Sequence, residues 1–379
     1  MSKHLIFTLC GLSTLHLCFL LSCAATGSGP DIDVSAFSLD ESLPPYSPRF
    51  DREKPIVAVV AENRFTELTD FVIPYGILAE SAVADVVALS TMDGPVRMFP
   101  ALRIEAQSTI DAFDRDFPRG ADYVIVPAVH YSDDPSLLTW VRAQAKKGAT
   151  LVGVCDGVWV LANAGLLENR KAVGHWYSFK RLENQFQETQ WIRNRRYVSD
   201  GNVVTTTGVT ASIPVSLAIV EAIAGHETAE TVATSMGVTD WSANHRSDDF
   251  RLSARHILTA IRNWTSFWAH DEIAIPITTG VDEISLALVA DTHSRTYRSS
   301  AFTVASSLAP IPTRRGLTLL PDKTEARAGG LDRRVELVAG VPPIVALDSA
   351  LQEIEERYGR ATADFVALQT EYRRDPPTD

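Results

Sequence analysis

From residue 54 onward the apolar positions fall into two alternating periods. Residues 55–61 (PIVAVVA), 84–89, 123–126 and 150–154 are short runs rich in β-branched side chains, apolar at consecutive positions. Such runs predict strands buried on both faces of a parallel sheet. Between them the period lengthens. Residues 65–78 read as an amphipathic turn and helix interrupted by Pro74, and 96–104 alternate like an edge hairpin. Asp134 as N-cap and Pro135 at the first helical position open a helix with Leu137, Leu138, Val141 and Ala145 on one face, closed by Gly148. Residues 172–176, a hairpin turning at Asp200-Gly201, a strand over 203–207 and a helix over 212–224 complete the series. This alternation predicts an α/β domain whose mainly parallel sheet is covered on both faces.

One strand-to-helix step carries candidate chemistry. In ATLVGVCDGVWVL (149–161) the run 150–154 ends at Cys155, Asp156 and Gly157 make the turn, and Val158, Leu161 and Ala162 continue at helical spacing up to Gly165. A sulfur is thereby placed at the carboxyl edge of a sheet, over the amides and positive end of a new helix, where a thiolate is stabilised. A buried structural cysteine has the same local pattern. Of the four cysteines, Cys10, Cys18 and Cys23 lie in the first two dozen residues, so Cys155 is the one thiol in the rest of the chain.

The N-terminus has its own pattern. Lys3 and His4 precede an apolar stretch over 5–21, short for a membrane span and of the right length for a secretory signal. It ends in Leu20-Leu21-Ser22-Cys23, which resembles the bacterial lipoprotein box. The expectation is a signal peptide over 1–22, lipidation of Cys23, and a protein of the cell envelope anchored by lipid to a bacterial membrane and facing away from the cytoplasm. An uncleaved signal anchor is the alternative. Residues 23–53, rich in Gly, Ser, Pro and Asp, read as a flexible tether. The 379 residues are 45% hydrophobic and 22% charged, with a formal charge of −12, an ordinary globular composition with room for two domains. No basic patch with interleaved aromatics occurs, which disfavours a nucleic-acid partner, and neither a cofactor nor a metal site is expected.

The segments FTELTDFVIPYGIL, DYVIVPAVHYSDDPSLLTWVRAQAKKGATLVGVCDGVWVLANAGLL, KAVGHWYS and VVTTTGVTASIPVSLAIVEAIAG, in this order, resemble the ThiJ/PfpI superfamily. The likeness is to the branch containing isocyanide hydratases and the sensor domains of AraC-type regulators, and it spans residues 54–225. It implies the class I glutamine-amidotransferase-like fold, a flavodoxin-like three-layer sandwich, with Cys155 on the elbow cysteine. It also implies that Asp70 is the acidic residue that hydrogen-bonds the sulfur, and that His175 lies near the thiol, as in some members. Three departures stand out. Asp156 follows the cysteine where the protease-like branch has histidine. Pro127-Ala128-Val129-His130 replaces a glycine pair that helps bind an oxyanion, and no AraC-type DNA-binding domain follows.

Carboxylates at Asp70 and Asp156 would raise the thiol pKa and oppose the helix end. A protonated Asp70 resolves that conflict by donating to the sulfur and serving as proton shuttle, which requires an elevated Asp70 pKa. A plain helix-terminal carboxylate is the simpler reading of Asp70, and a satisfied core histidine that of His175. Two functions follow: a cysteine-dependent hydrolase or hydratase acting on a small amide, nitrile-like or isocyanide carbon, with the Asp156 amide stabilising charge, or a non-catalytic lipoprotein that binds or senses a small molecule.

Residues 226–269 read as a helical connector, with Ile257, Leu258, Ile261, Trp264 and Trp268 spaced for one face. Beyond it, EIAIPITTGVDEISLALVAD (272–291) lies against 56–75 at a constant offset of 216 residues, with Leu286 opposite Asp70 and Ala290 opposite Pro74. With small loop shifts, 316–321, 335–340, and a helix over 348–358 followed by a strand over 363–368 match the elements leading to the elbow. Residues 270–375 therefore read as a degenerate, truncated half-copy of the same fold, although any βαβ unit shares these periods. Docked on the first domain, such a copy would make an intrachain pseudo-dimer in place of a homodimer.

Overall fold

The computed structural model describes residues 42–374. Residues 1–22 and Cys23, read above as signal peptide and lipidation site, lie outside the described residues.

Strand Ile56–Ala61 is buried at all six positions because parallel neighbours flank it, Asp85–Ser90 on one side and Tyr123–Val126 on the other. The sheet has seven strands in the order Tyr197–Asp200, Val203–Thr206, Thr150–Gly153, Tyr123–Val126, Ile56–Ala61, Asp85–Ser90, Ser108–Thr109. All neighbours run parallel except the first pair, an antiparallel hairpin. The chain leaves Ile56–Ala61 toward one edge and later returns on its other side, so the loops at the carboxyl ends of Ile56–Ala61, Tyr123–Val126 and Thr150–Gly153 part to leave a crevice. In open α/β sheets that is where ligands bind.

Helices Leu68–Ser81 and Ser212–Ala224 lie on one face of this sheet, and their apolar residues run around most of the helix rather than along one stripe. That composition suits helices covered on several sides. Leu68–Ser81 is covered by the second half of the chain. There, Asp271–Pro276, helix Glu283–Ser294 and Ser299–Ala305 repeat the strand, helix and strand of Ile56–Ala61, Leu68–Ser81 and Asp85–Ser90. Their sheet, in the order Lys323–Thr324, Ser299–Ala305, Asp271–Pro276, Arg333–Arg334, is parallel throughout and copies the order Ser108–Thr109, Asp85–Ser90, Ile56–Ala61, Tyr123–Val126.

The two halves meet through equivalent elements. Helix Glu283–Ser294 packs on Leu68–Ser81, and the approach is close enough that a Cβ on Gly76 would come within 2.6 Å of Ile284 Cγ1. Hairpin Val96–Phe99/Arg103–Glu105 joins hairpin Ile311–Pro312/Thr318–Leu319 into one sheet by the antiparallel pairing of Ile104 with Leu319. Tyr75 Oη donates to the Arg315 carbonyl at 3.2 Å and accepts from Gln107, and Arg315 Nε lies 2.6 Å from Glu80.

Three expectations differ from what is observed. Residues 363–368 lie in a helix, Arg360–Gln369, instead of a strand. The adjoining strand Arg333–Arg334 is only two residues long, so an elbow-like strand has no ladder to join. With Gly359 at φ 87° breaking the preceding helix, Ala363, Val366 and Ala367 turn inward at helical spacing. Residues 335–340 likewise form no strand; pairing ends after Arg334, with one further hydrogen bond from Val335 N–H to the Ala274 carbonyl. The last part of the segment read as a tether is packed: Leu43 is buried, Tyr46 N–H donates to the Ala222 carbonyl, and Arg52 pairs with the buried Asp122 at 2.7 Å.

Candidate active site

Cys155 follows strand Thr150–Gly153 and Val154 and opens a 3₁₀ turn, Cys155–Gly157, that runs directly into helix Val158–Asn163. Its backbone sits at φ 54°, a left-handed conformation that non-glycine residues seldom adopt and that recurs at functional turns. Two local features hold the turn. The Cys155 N–H donates to Thr206 Oγ1 at 3.0 Å, and that hydroxyl donates onward to the Thr207 carbonyl. Gly157 lies so close to the neighbouring strand that a Cβ would overlap the Val126 carbonyl oxygen and come within 3.0 Å of Pro127 C.

The acidic residues predicted around the sulfur come together. Asp70, in the first turn of helix Leu68–Ser81, is wholly buried, and its Oδ2 accepts the Ala128 N–H at 3.2 Å. The Pro127-Ala128 segment that replaces a glycine pair thus contributes an amide to Asp70. Asp156 Oδ2 accepts the Ser178 hydroxyl at 2.7 Å. His175 is buried beside Trp176, with ring centroids 5.3 Å apart, and its Nδ1 accepts the Tyr177 N–H at 3.4 Å. The remaining polar atoms of these side chains, Asp70 Oδ1, Asp156 Oδ1 and His175 Nε2, are buried without a hydrogen-bond partner. Unsatisfied buried polar atoms are uncommon and mark functional sites or unfilled ligand positions.

Electrostatics here run against the expectation of a stabilised thiolate. Burial pushes the Cys155 thiol well above its ordinary range; Asp70, then Asp156 and Glu67, push it further, and the Asp156 amide opposes them only weakly. Low dielectric and three carboxyl groups outweigh one short helix end. Asp70 is itself held well above the usual carboxylate range, first by burial and next by Glu67, the direction the sequence reading required.

Two participants escaped the sequence reading. Glu67, the residue before helix Leu68–Ser81, forms an ion pair with Arg295, which also pairs with Asp291 at 2.7 Å. Arg295 comes from the half-copy. At the offset of 216 residues it falls opposite Ala79, so comparison of the two halves offered no signal for it. The cavity over Cys155, about 1010 Å³, is lined by both halves: Cys155, Asp156 and His175 from the first, Arg295, Tyr297 and Phe365 from the second. The half-copy, which has Leu286 where the first half has Asp70, supplies a wall and a buried cation.

This carboxyl cluster makes stability depend on pH. Glu67 is raised to about 8 by burial and by Asp291 and Asp156, with Arg295 pulling it down; Asp70 and Asp291 are raised also. Folded carboxyls then hold protons that the unfolded chain releases near its ordinary carboxylate pKa. The folded state binds more protons, and stability falls as pH rises from about 4.5 through about 8. The urea midpoint is expected to be lower at about pH 8.5 than at about pH 5.5, and Glu67→Gln to reduce the slope. A midpoint that rises over this interval would contradict the assignment.

Comparison with known proteins adds the following. The family model described as "DJ-1/PfpI family" matches residues 55–222. An HTH-type transcriptional regulator, CdhR, from Pseudomonas aeruginosa is 32% identical over 99 residues, covering 26% of this chain and 29% of that protein. An isonitrile hydratase from Pseudomonas putida is 33% identical over 100 residues, covering 26% of this chain and 42% of that protein. The chain thus matches less than half the length of these relatives. The crystal structure of Drosophila melanogaster DJ-1beta matches with a TM-score of 0.44 and 20% identity, covering 49% of this chain and 100% of that one.

Proposed function

Because residues 55–222 belong to the DJ-1/PfpI family, we propose that this domain is a cysteine-dependent hydratase or hydrolase for a small compound with an electrophilic carbon of the isocyanide, nitrile or amide type. The observation that carries the reading is the juxtaposition at the elbow. A strained Cys155 opens into a cavity, and the largest charge influence on its sulfur comes from a buried carboxyl group with one unpartnered oxygen.

For an isocyanide the chemistry balances without a cofactor. Asp70 in its acid form protonates the terminal carbon as the Cys155 sulfur bonds to it, and the thiol proton passes to Asp70. The adduct is a thioimidate. Water then adds to the same carbon, with Asp70 relaying a proton to the nitrogen. The tetrahedral species collapses by breaking the C–S bond, its hydroxyl proton returns to sulfur, and an N-substituted formamide leaves. Phe365 and Tyr297, stacked with centroids 5.6 Å apart, give the cavity an apolar wall suited to the organic substituent.

A second reading is favoured by one observation: burial and three carboxyl groups hold the thiol in its protonated form, which suits a site that binds a small molecule without turning it over. Incubation with a simple alkyl isocyanide separates the two. Formamide release that Cys155→Ser abolishes supports catalysis; saturable binding with no product in the wild type leaves the binding role. The N-terminal pattern, Lys3, the apolar run 5–21 and Leu20-Leu21-Ser22-Cys23, supports an envelope location with acylation at Cys23.

A further inference from the structure

Helix Ala254–Thr265 is set into the fold by its polar side. Thr259, Ala260 and Asn263 are its buried residues, and Asn263 Nδ2 donates to the Thr296 carbonyl at 2.9 Å and to Thr362 Oγ1 at 3.0 Å. Of the apolar stripe that the sequence displays, Leu258 and Trp268 face outward. Leu258 is 66% exposed, and Phe267 and Trp268, in the 3₁₀ turn that follows, are 75% and 77% exposed; Ile257, Ile261 and Trp264 are half-buried at its margin. Single exposed apolar residues are commonplace, but Phe267 and Trp268, with ring centroids 5.2 Å apart, expose a paired aromatic patch of the kind that marks a contact surface.

We propose that this face beds into an anionic phospholipid surface. Three observations commit it to that partner. The stripe combines Leu and Ile with Phe and Trp, the residues that settle at the boundary between headgroups and acyl chains. Arg255 and Arg262 stand exposed along its edge and form no salt bridge among the described residues, which complements lipid phosphate. Finally, Leu43, the first buried residue of the described chain, lies only 20 positions after Cys23, and such a segment reaches at most roughly 70 Å. This last point rests on acylation of Cys23 as proposed above; the first two do not. Leu252, two residues ahead of the helix, lines the Cys155 cavity, so the docked face would set that cavity beside the bilayer.

The test uses the full chain with vesicles of phosphatidylglycerol and phosphatidylcholine, with or without brominated acyl chains. Brominated lipid is expected to quench tryptophan emission in the wild type, and the Trp264→Phe/Trp268→Phe chain to lose most of that quenching. Arg255→Glu/Arg262→Glu is expected to weaken association with the anionic vesicles by at least about tenfold and to have no effect on pure phosphatidylcholine. Equal quenching in wild type and double tryptophan variant overturns the proposal, as does a dimer in sedimentation that Leu258→Ser dissolves without any quenching. The anchor is scored separately by the intact mass of chain extracted from membranes. A Cys23→Ser chain that still quenches keeps the docking face even where no acyl mass is found.

Discussion

Asp70→Asn is expected to make Cys155 more reactive and the proposed turnover slower. Of the charges acting on the sulfur, Asp70 has the largest effect, ahead of Asp156 and Glu67. The amide is nearly isosteric, and its oxygen can still accept the Ala128 N–H that Asp70 Oδ2 accepts, so the turn is left intact while the ionisable group disappears. In wild type the rate of alkylation is expected to rise with pH only above the ordinary thiol range near about 8.5. In Asp70→Asn the profile moves to lower pH, and in Asp156→Asn it moves the same way by less. Turnover goes in the opposite direction: losing a positioned acid and base costs on the order of 10²–10⁴-fold. An improved nucleophile with lost turnover is the signature of a proton shuttle, because a merely electrostatic neighbour would change both alike. Alkylation profiles that coincide in wild type and Asp70→Asn would remove Asp70 from the site.

The second large effect is on stability. Arg295 places a guanidinium, with only 10% of its side chain exposed, between Glu67 of the first half and Asp291 of its own helix. Removing one member of a buried ion cluster leaves the others uncompensated, and Arg295→Met is expected to cost about 3–5 kcal/mol in denaturant unfolding. The loss should be smaller near about pH 5.5, where Glu67 already holds its proton, and larger at about pH 8.5, where it is ionised. Adding Glu67→Gln to Arg295→Met should recover part of it, since one unpaired charge is then absent. A cost below about 1 kcal/mol at the higher pH would show that the Arg295 cluster does not hold the two halves together.

The legibility of this chain followed the range of the forces involved. Strands such as Ile56–Ala61 and Tyr123–Val126 could be read because a central parallel strand must be apolar at every position. Helix Pro135–Lys146 announced itself through Asp134, which accepts from Ser136 N and Leu137 N as the capping rule requires. Cys155 and Asp70 were found by local motif and resemblance, without any knowledge of what surrounds them. Helix Arg360–Gln369 was misread because a short apolar run fits strand and helix alike, and the missing ladder partner decided between them. Helix Ala254–Thr265 had its period read from the sequence, which carried no signal for how far its apolar face is covered. Asn263 takes the most buried side of the helix by hydrogen-bonding Thr296 and Thr362 from elsewhere in the chain, and Ile257, Ile261 and Trp264 are left half-buried.

By itself, the sequence determined the α/β alternation, the strand-turn-helix at Cys155, the second half's repetition of the first, and the acidic residue upstream, since each is written in near-neighbour spacing. Only the tertiary structure decided that the thiol is pushed upward in pKa, that Arg295 of the half-copy meets Glu67 across the interface, and that both halves wall one cavity. Those outcomes depend on burial and on distances between residues more than two hundred positions apart. Desolvation and Coulomb interaction act through space, and no local pattern records them.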